Sequence, residues 1–335
     1  MNNQGDRKDR EKSRMSSFVD AKNLCKYFKK LKAVDDISLN VEQGEVLGFL
    51  GPNGAGKSTT MKMITGYLRP SSGQIAIAGF DIFKNPIAAQ KLIGYLPEGA
   101  PAYGEMTTLS YLNFIADVRL IPRKDKKTKI EDVLDKINLH GVANQRIEEL
   151  SKGYKRRVGL AQAILHDPCI LIMDEPTDGL DPNQKHEIRS LIREMAPRKA
   201  IIISTHILEE VDAVCTSAAI IKKGKIIFSG TPRQLSALSS YHNALNIVVK
   251  LEEAEESLKI LKDHPDISSL EEIYSGNEIR ITALLGEKEP VASAIHERLR
   301  NHKIFPKEYF FETGRLDQVF RDLTATDDLP DKEHP

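Results

Sequence analysis

Val46-Leu47-Gly48-Phe49-Leu50 runs straight into Gly51-Pro52-Asn53-Gly54-Ala55-Gly56-Lys57-Ser58, an apolar segment followed by a glycine-rich turn that ends in Lys-Ser. This junction constrains the fold more than any other feature of the chain. A short run with no polar residue suits a strand buried on both faces. The turn fits G-x-x-x-x-G-K-[ST]. Its glycines let backbone N–H groups wrap phosphate oxygens, and the helix that follows presents its N-terminus to the anion. Strand, turn and helix in that order predict a nucleotide-binding α/β core. Its phosphate-binding residues are Gly51, Pro52, Asn53, Gly54, Ala55, Gly56, Lys57, Ser58 and Thr59, with Lys57 reaching the β/γ oxygens and Ser58 holding Mg²⁺.

Further continuous apolar runs occur at Cys169-Ile170-Leu171-Ile172-Met173, Ala200-Ile201-Ile202-Ile203 and Ala218-Ala219-Ile220-Ile221. Helical patterns lie between them, for instance Val158, Ala161 and Leu165, with Leu160 and Ile164 beside them. Strands alternating with helices predict a parallel sheet whose ligand lies at the carboxyl ends of the strands. Asp174 and Glu175 follow the run Cys169 to Met173, and His206 comes shortly after the run Ala200 to Ile203. At such an edge Asp174 would order the metal shell, Glu175 would polarise the attacking water, and His206 could contact the γ-phosphate. A lone histidine or an Asp-Glu pair elsewhere would more often be structural; the buried strands before them reverse that weighting here.

The rest of the chain falls into distinct stretches. Phe18 to Val41 alternates loosely and predicts antiparallel strands with an exposed side. Residues 105–150 hold helical patterns, among them Ser110 to Leu120 and Thr128 to Ile137, and are expected to form a helical insertion. The turn Thr231-Pro232 closes the core, which is expected to span 18–235, and a linker is expected around Ser236 to Asn243. From 244 to 324 the pattern is strand, helix, two strands joined near Gly276-Asn277, helix, strand. That β-α-β-β-α-β order predicts a small ferredoxin-like α+β domain. The polar ends, 1–17 and 325–335, are expected to be a disordered leader and tail. The alternative is a mis-assigned start, with Met15 as the true first residue.

Composition excludes several classes of function. The 335 residues carry 48 Lys and Arg against 48 Asp and Glu, so the formal net charge is zero and no global field draws the chain to nucleic acid. No apolar run approaches the roughly 20 residues of a membrane span, and the charged N-terminus lacks the apolar region of a secretory signal. Cys25, Cys169 and Cys215 are scattered without metal-ligand spacing, as in a reduced cytosolic protein.

Leu150-Ser151-Lys152-Gly153 opens the helix that runs to Leu165. Ser151 is a good N-cap, and a helix start also attracts anions, so capping and phosphate binding are both available from these residues. In combination the motifs are specific. Leu150 to Gly153 resembles the signature motif of the nucleotide-binding domain of ATP-binding cassette (ABC) transporters, Asp174-Glu175 its Walker B, Asp178-Gly179-Leu180-Asp181 its D-loop and His206 its switch histidine. The resemblance covers about Phe18 to Thr231. It implies an ABC cassette of the P-loop NTPase class, with an antiparallel β subdomain and a helical insertion, in front of the α+β domain.

The resemblance also implies ATP and Mg²⁺ as ligands. It implies a second nucleotide-binding domain packed head to tail, so that Ser151, Lys152 and Gly153 close over the partner's ATP; a homodimer is expected. Tyr27 falls where the family has an aromatic that stacks on adenine, although on pattern alone it is equally a strand surface residue. Glu98, in Ile93-Gly94-Tyr95-Leu96-Pro97-Glu98, stands where the family usually has a Gln that contacts Mg²⁺ and relays to the membrane subunit. A carboxylate keeps the capacity to bind metal or water but not the amide's donor bond. Lys152 and Tyr154 likewise stand where Gly and Gln are common.

Tyr95-Leu96-Pro97-Glu98, the Met106-Thr107 turn and Leu316-Asp317-Gln318-Val319-Phe320 are similar to the exporter branch whose membrane permease is a separate polypeptide. An ATPase subunit at the cytoplasmic face of a membrane is the expectation, with 105–150 and the loop near Glu98 as its docking surface. Competing classes are a soluble ABC ATPase acting on nucleic acid or ribosomes, and a cassette regulated by a ligand-sensing C-terminal domain. The first is disfavoured by the zero net charge and the single cassette. The second is disfavoured by the lack of a metal cluster or glycine-rich pocket after residue 244, which leaves dimerisation or packing as the simpler role for that domain.

Overall fold

A computed structural model describes residues 17–100, 102–285 and 292–325. The expected leader, apart from Ser17, and the expected tail beyond Ala325 lie outside these residues. The chain divides into two compact units, one up to Pro232 and one from Arg233.

In the first unit, β1 (Ser17–Phe28) and β2 (Leu31–Glu42) form an antiparallel pair. β3 (Val46–Leu50) leads into α1 (Lys57–Ile64), and β4 (Ser72–Ile77) and β5 (Phe80–Asp81) complete a sheet of order β2-β1-β4-β5. There follow α2 (Pro86–Lys91), β6 (Ile93–Leu96), α3 (Thr108–Val118), α4 (Arg123–Lys136), α5 (Lys152–Ile164) and β7 (Ile170–Asp174). The unit ends with α6 (Pro182–Met195), β8 (Ala200–Thr205), α7 (Leu208–Val214), β9 (Ser217–Lys222) and β10 (Lys225–Gly230). The second sheet has the order β10-β9-β3-β8-β7-β6, parallel except for β10.

Burial follows the apolar runs. Every residue of β3, β7 and β8 is buried, whereas the edge strand β10 alternates half-buried with exposed. The central sheet separates two cores. Leu47, Phe49, Ile170, Ile172 and Ile202 face the antiparallel sheet and α1, and Val46, Leu171, Met173, Ile201 and Ile203 face the helical side. Alternate residues of a strand thus fill different cores, and truncating Phe49 to Ala would cost about 3–5 kcal/mol. The segment 105–150 is helical at α3 and α4.

The second unit begins at the junction with α8 (Pro232–Ser236) and contains β11 (Leu245–Lys250), α9 (Ala254–Lys262), β12 (Ile267–Ser275), β13 (Glu278–Leu285), α10 (Ala292–Asn301), β14 (Glu308–Phe311) and α11 (Leu316–Thr324). Its antiparallel sheet has the order β12-β13-β11-β14, with β13 inserted between β11 and β12 as in a split β-α-β unit. Leu245, Ile247 and Val249 pack with Ile260, Leu261, Ile295 and Leu299. Two features depart from expectation. α11 lies beyond the six elements expected, and the stretch from Ser236 to Asn243 is not a free linker. Ser239 donates to Gln318 Oε1 at 2.9 Å, Gln318 donates to Ser240 Oγ at 2.8 Å, and Asn243 N–H donates to Glu312 O at 2.9 Å. Its serines look like linker composition, but the hydroxyls of Ser239 and Ser240 are spent on α11.

Candidate active site

Four parallel strands deliver the site, because neighbours in the order β3-β8-β7-β6 end at one edge of the sheet. Beyond that edge lie the loop from Gly51 after β3, His206 after β8, Asp174 and Glu175 at the end of β7, and Glu98 after β6. Leu50 is in register with Thr205, and Asp174 with Ser204.

Two glycines permit the phosphate loop. A Cβ on Gly51 would lie 2.4 Å from Ile221 O, and one on Gly56, whose φ is +110°, would lie 2.6 Å from Ala33 O. No side chain caps α1, so its first-turn N–H groups are available to an anion. Lys57 is buried, and its Nζ donates to Gly51 O at 2.7 Å and to Pro52 O at 3.2 Å, arching back over the loop. Burial pulls its pKa below the usual lysine value, opposed by the charges of Glu175, Asp174 and Glu98. Those carboxylates therefore act on one ammonium.

Asp174 is 1% exposed. The Ser204 hydroxyl donates to its Oδ1, while Oδ2 has no hydrogen-bond partner among the described residues. A buried carboxylate oxygen without a donor is costly, and a cation removes the cost. Oxygen donors at Asp174, Ser58 and Glu98 suit Mg²⁺, which fills the rest of its shell with water and substrate oxygens. Among the described residues no group of three or more His, Cys, Asp or Glu forms a closed metal cluster.

Glu175 has a left-handed backbone, φ +51°, which costs a non-glycine residue about 1–2 kcal/mol. Its N–H donates to Ser204 O and Ser204 Oγ, each at 3.1 Å. Arg156, buried on α5, donates to Glu175 O, to Asp174 O at 2.7 Å and to Pro97 O at 3.3 Å. These bonds hold the strained turn. The Glu175 carboxylate stands 3.1 Å from His206 Nδ1.

The remaining expected residues lie elsewhere. Ser151 caps α5, its Oγ accepting from Tyr154 N–H at 3.4 Å, and with Lys152 it is exposed, while Gly153 is buried against Gln184. No hydrogen bond joins Ser151, Lys152 or Gly153 to the Gly51–Ser58 loop among the described residues. Tyr27, on β1, is 47% exposed, with the Lys32 ammonium 5.4 Å from its ring centroid.

The ABC transporter family model matches residues 34–178. The chain is 34% identical over 276 residues to the bacitracin transport ATP-binding protein BcrA of Bacillus licheniformis, covering 82% of this chain and 88% of that one. The chain belongs to the ATP-binding proteins of ABC transporters. This ABC protein is also 39% identical over 209 residues to the ABC transporter ATP-binding protein NatA of Bacillus subtilis, covering 62% of this chain and 85% of NatA. A solved ATP-binding subunit of an ABC transporter resembles it with a TM-score of 0.62 at 29% identity, over 65% of this chain and 91% of that one. ABC ATPases bind ATP, which fixes the nucleotide class.

Sequence reasoning on this ABC chain did not identify Arg156 or Ser204. Arg156 had a signal: with Arg157 it sits on the buried face of α5 among Gly153, Val158 and Leu160. An arginine on such a face needs acceptors, and carbonyls at a strand end supply them. Ser204 is simply the last small residue before Thr205 in an apolar strand, and only the sheet register gives it a role.

Proposed function

We propose that this ABC protein is the ATP-hydrolysing subunit of an exporter, driving a separate membrane permease through ATP-dependent closure of two identical cassettes. The observation that carries the proposal is the meeting of Lys57, Asp174, Glu175, Glu98 and His206 at one sheet edge while Ser151 and Lys152 stand exposed on another element. A site with its hydrolytic groups on one edge and an exposed helix start at Ser151 and Lys152 elsewhere suits a head-to-tail pair.

In this reading Gly51 to Thr59 cradle the phosphates through backbone N–H groups, and Lys57 moves its ammonium from Gly51 O and Pro52 O to the β/γ oxygens. Ser58, Asp174 and Glu98 would hold Mg²⁺, which when bound neutralises charge building on the β and γ oxygens. Glu175 takes a proton from water as its oxygen attacks the γ-phosphorus; the bond to the β–γ bridging oxygen breaks, giving ADP and phosphate. His206 orients Glu175 and donates to the γ-phosphate. Tyr27 supplies an aromatic face for adenine, and Ser151, Lys152 and Gly153 of the second copy close the site.

The docking surface for the permease is the helical insertion beside the loop near Glu98. Tyr103 is 55% exposed there, its ring 5.5 Å from that of the exposed Phe114 and 6.3 Å from the buried Tyr111, an aromatic pair suited to an inserted helix. No helix among the described residues is long and apolar enough to cross a membrane, so a separate permease would position the subunit on the cytoplasmic face. The similarity to the bacitracin transport protein supports a transport role over one on nucleic acid. The test is affinity purification of the tagged full chain from detergent-solubilised membranes, with ATP hydrolysis measured with and without Mg²⁺. Recovery of a polytopic membrane protein is expected; recovery of ribosomes or nucleic acid in its place would overturn the proposal.

A further inference from the structure

Behind the contact between Glu175 and His206 lies a buried carboxylate that the reaction does not touch. Glu210, on α7, is 2% exposed. The Thr177 hydroxyl donates to its Oε1, and the Thr205 hydroxyl donates to its Oε2 at 2.7 Å. Thr177 follows Glu175 by two residues, and Thr205 immediately precedes His206. Thr205 Oγ1 also accepts from Ile207 N–H at 3.0 Å, so the tie spans both sides of His206.

We infer that Glu210 is a positioning residue for ATP hydrolysis, holding Glu175 and His206 at their working separation through Thr177 and Thr205. The inference rests on the roles proposed above for those two residues. Burying a carboxylate with only neutral donors in contact is an expensive way to fill space, and an apolar side chain would stabilise the fold better. Arg189, Lys185 and His206 lend it only more distant positive charge. What the carboxylate provides is two acceptors at a fixed distance, each engaged by one of the segments that carry the reacting side chains. The strained Glu175 turn is held on its strand side by Ser204 and Arg156, and Glu210 holds it on the far side of Pro176. The front contact of 3.1 Å and the rear tie then close a ring, so neither Glu175 nor His206 can shift alone.

A displacement of about 1 Å in such a site can lower turnover roughly 100-fold without loss of binding. The test is steady-state hydrolysis by the full chain with Glu210→Ala, Glu210→Gln, Thr177→Val, the Thr177→Val/Glu210→Ala double variant and Glu175→Gln, alongside fluorescent-nucleotide titration and thermal melts. Glu210→Ala should lower kcat by about 10- to 100-fold with KM and nucleotide affinity unchanged. Thr177→Val, which keeps shape and tests the tie even if Glu210→Ala folds poorly, should lower kcat in the same way, and the double variant should be no worse than Glu210→Ala alone. Glu210→Gln, retaining volume and an acceptor oxygen, should restore part of the loss. Wild-type kcat in Thr177→Val and Glu210→Ala, or effects that simply add, would overturn the inference while Glu175→Gln still abolishes turnover. Full turnover by Glu175→Gln would instead overturn the assignment of Glu175 on which the inference rests.

Discussion

His206 Nδ1 lies 3.1 Å from Glu175 Oε1, across two neighbouring strands of one parallel sheet. The pairing needs no loop closure. Asp174 and Ser204 are the last pair in register between β7 and β8, and the left-handed turn at Glu175, one place beyond that pair, sets its carboxylate beside His206. The sheet brings the two segments together, and the bonds from Ser204 and Arg156 hold the turn.

Glu175→Gln should keep ATP binding, lose turnover by about 10²- to 10⁴-fold, the usual contribution of a general base, and accumulate an ATP-bound dimer. Phosphate release and size-exclusion chromatography with ATP check this. Undiminished hydrolysis would remove Glu175 from the role.

Ser151→Arg should block dimer closure and hydrolysis while each monomer still binds ATP. The side chain is exposed, so the monomer has room for the bulk, and the lost cap should cost only about 1 kcal/mol. A dimer that persists on size exclusion with ATP would contradict the assignment.

Glu98→Gln should raise the Mg²⁺ concentration needed for half-maximal hydrolysis by severalfold, since the amide keeps an oxygen donor but loses the negative charge. Titrating Mg²⁺ at saturating ATP reads this out; an unchanged half-point would mean that Glu98 stays outside the metal shell.

His166 gives the fold a defined acid sensitivity. Its Nε2 lies 3.1 Å from Ile93 O, its buried Nδ1 has no partner among the described residues, and burial, helped by the charge of Arg119, pulls its pKa to about 4. The folded chain resists protonation that the unfolded chain accepts near pH 6.5, so stability is complete above that pH and falls as pH drops toward 4. The loss should reach at most about 3 kcal/mol. Denaturant midpoints at pH 7 and pH 4.5 should differ less in His166→Gln, which keeps a donor for Ile93 O and does not titrate; an unchanged difference would exclude His166 as the source.

Much of this architecture was readable from residues. β3, β7, β8 and β9 announced themselves because strands covered on both faces must be apolar throughout, and the loop from Gly51 to Ser58 has a composition that few other structures require. Weaker strands were not readable. β6 is four residues long and contains Gly94, kept free of a side chain because a Cβ there would lie 2.2 Å from Ala163 O. β4 begins Ser72-Gly73-Gln74, all exposed, so its pattern looks like a turn. Arg156, Ser204 and Glu210 each bond a partner on another element, Asp174 standing 18 positions after Arg156, Asp174 30 before Ser204 and Thr177 33 before Glu210, and the local sequence does not name those partners.

β6 stands at the margin of the central sheet, and its one strand neighbour among the described residues is β7. β3, β8 and β7 are each flanked on both sides, so moving any of them would break two ladders. Glu98 therefore follows a border strand held by one ladder and by side chains of α5 and the turn after it, Gln162 at Tyr95 O, His166 at Ile93 O and Arg156 at Pro97 O. The same guanidinium also donates to Asp174 O and Glu175 O, so a displacement at the end of β6 is passed through one side chain to the end of β7.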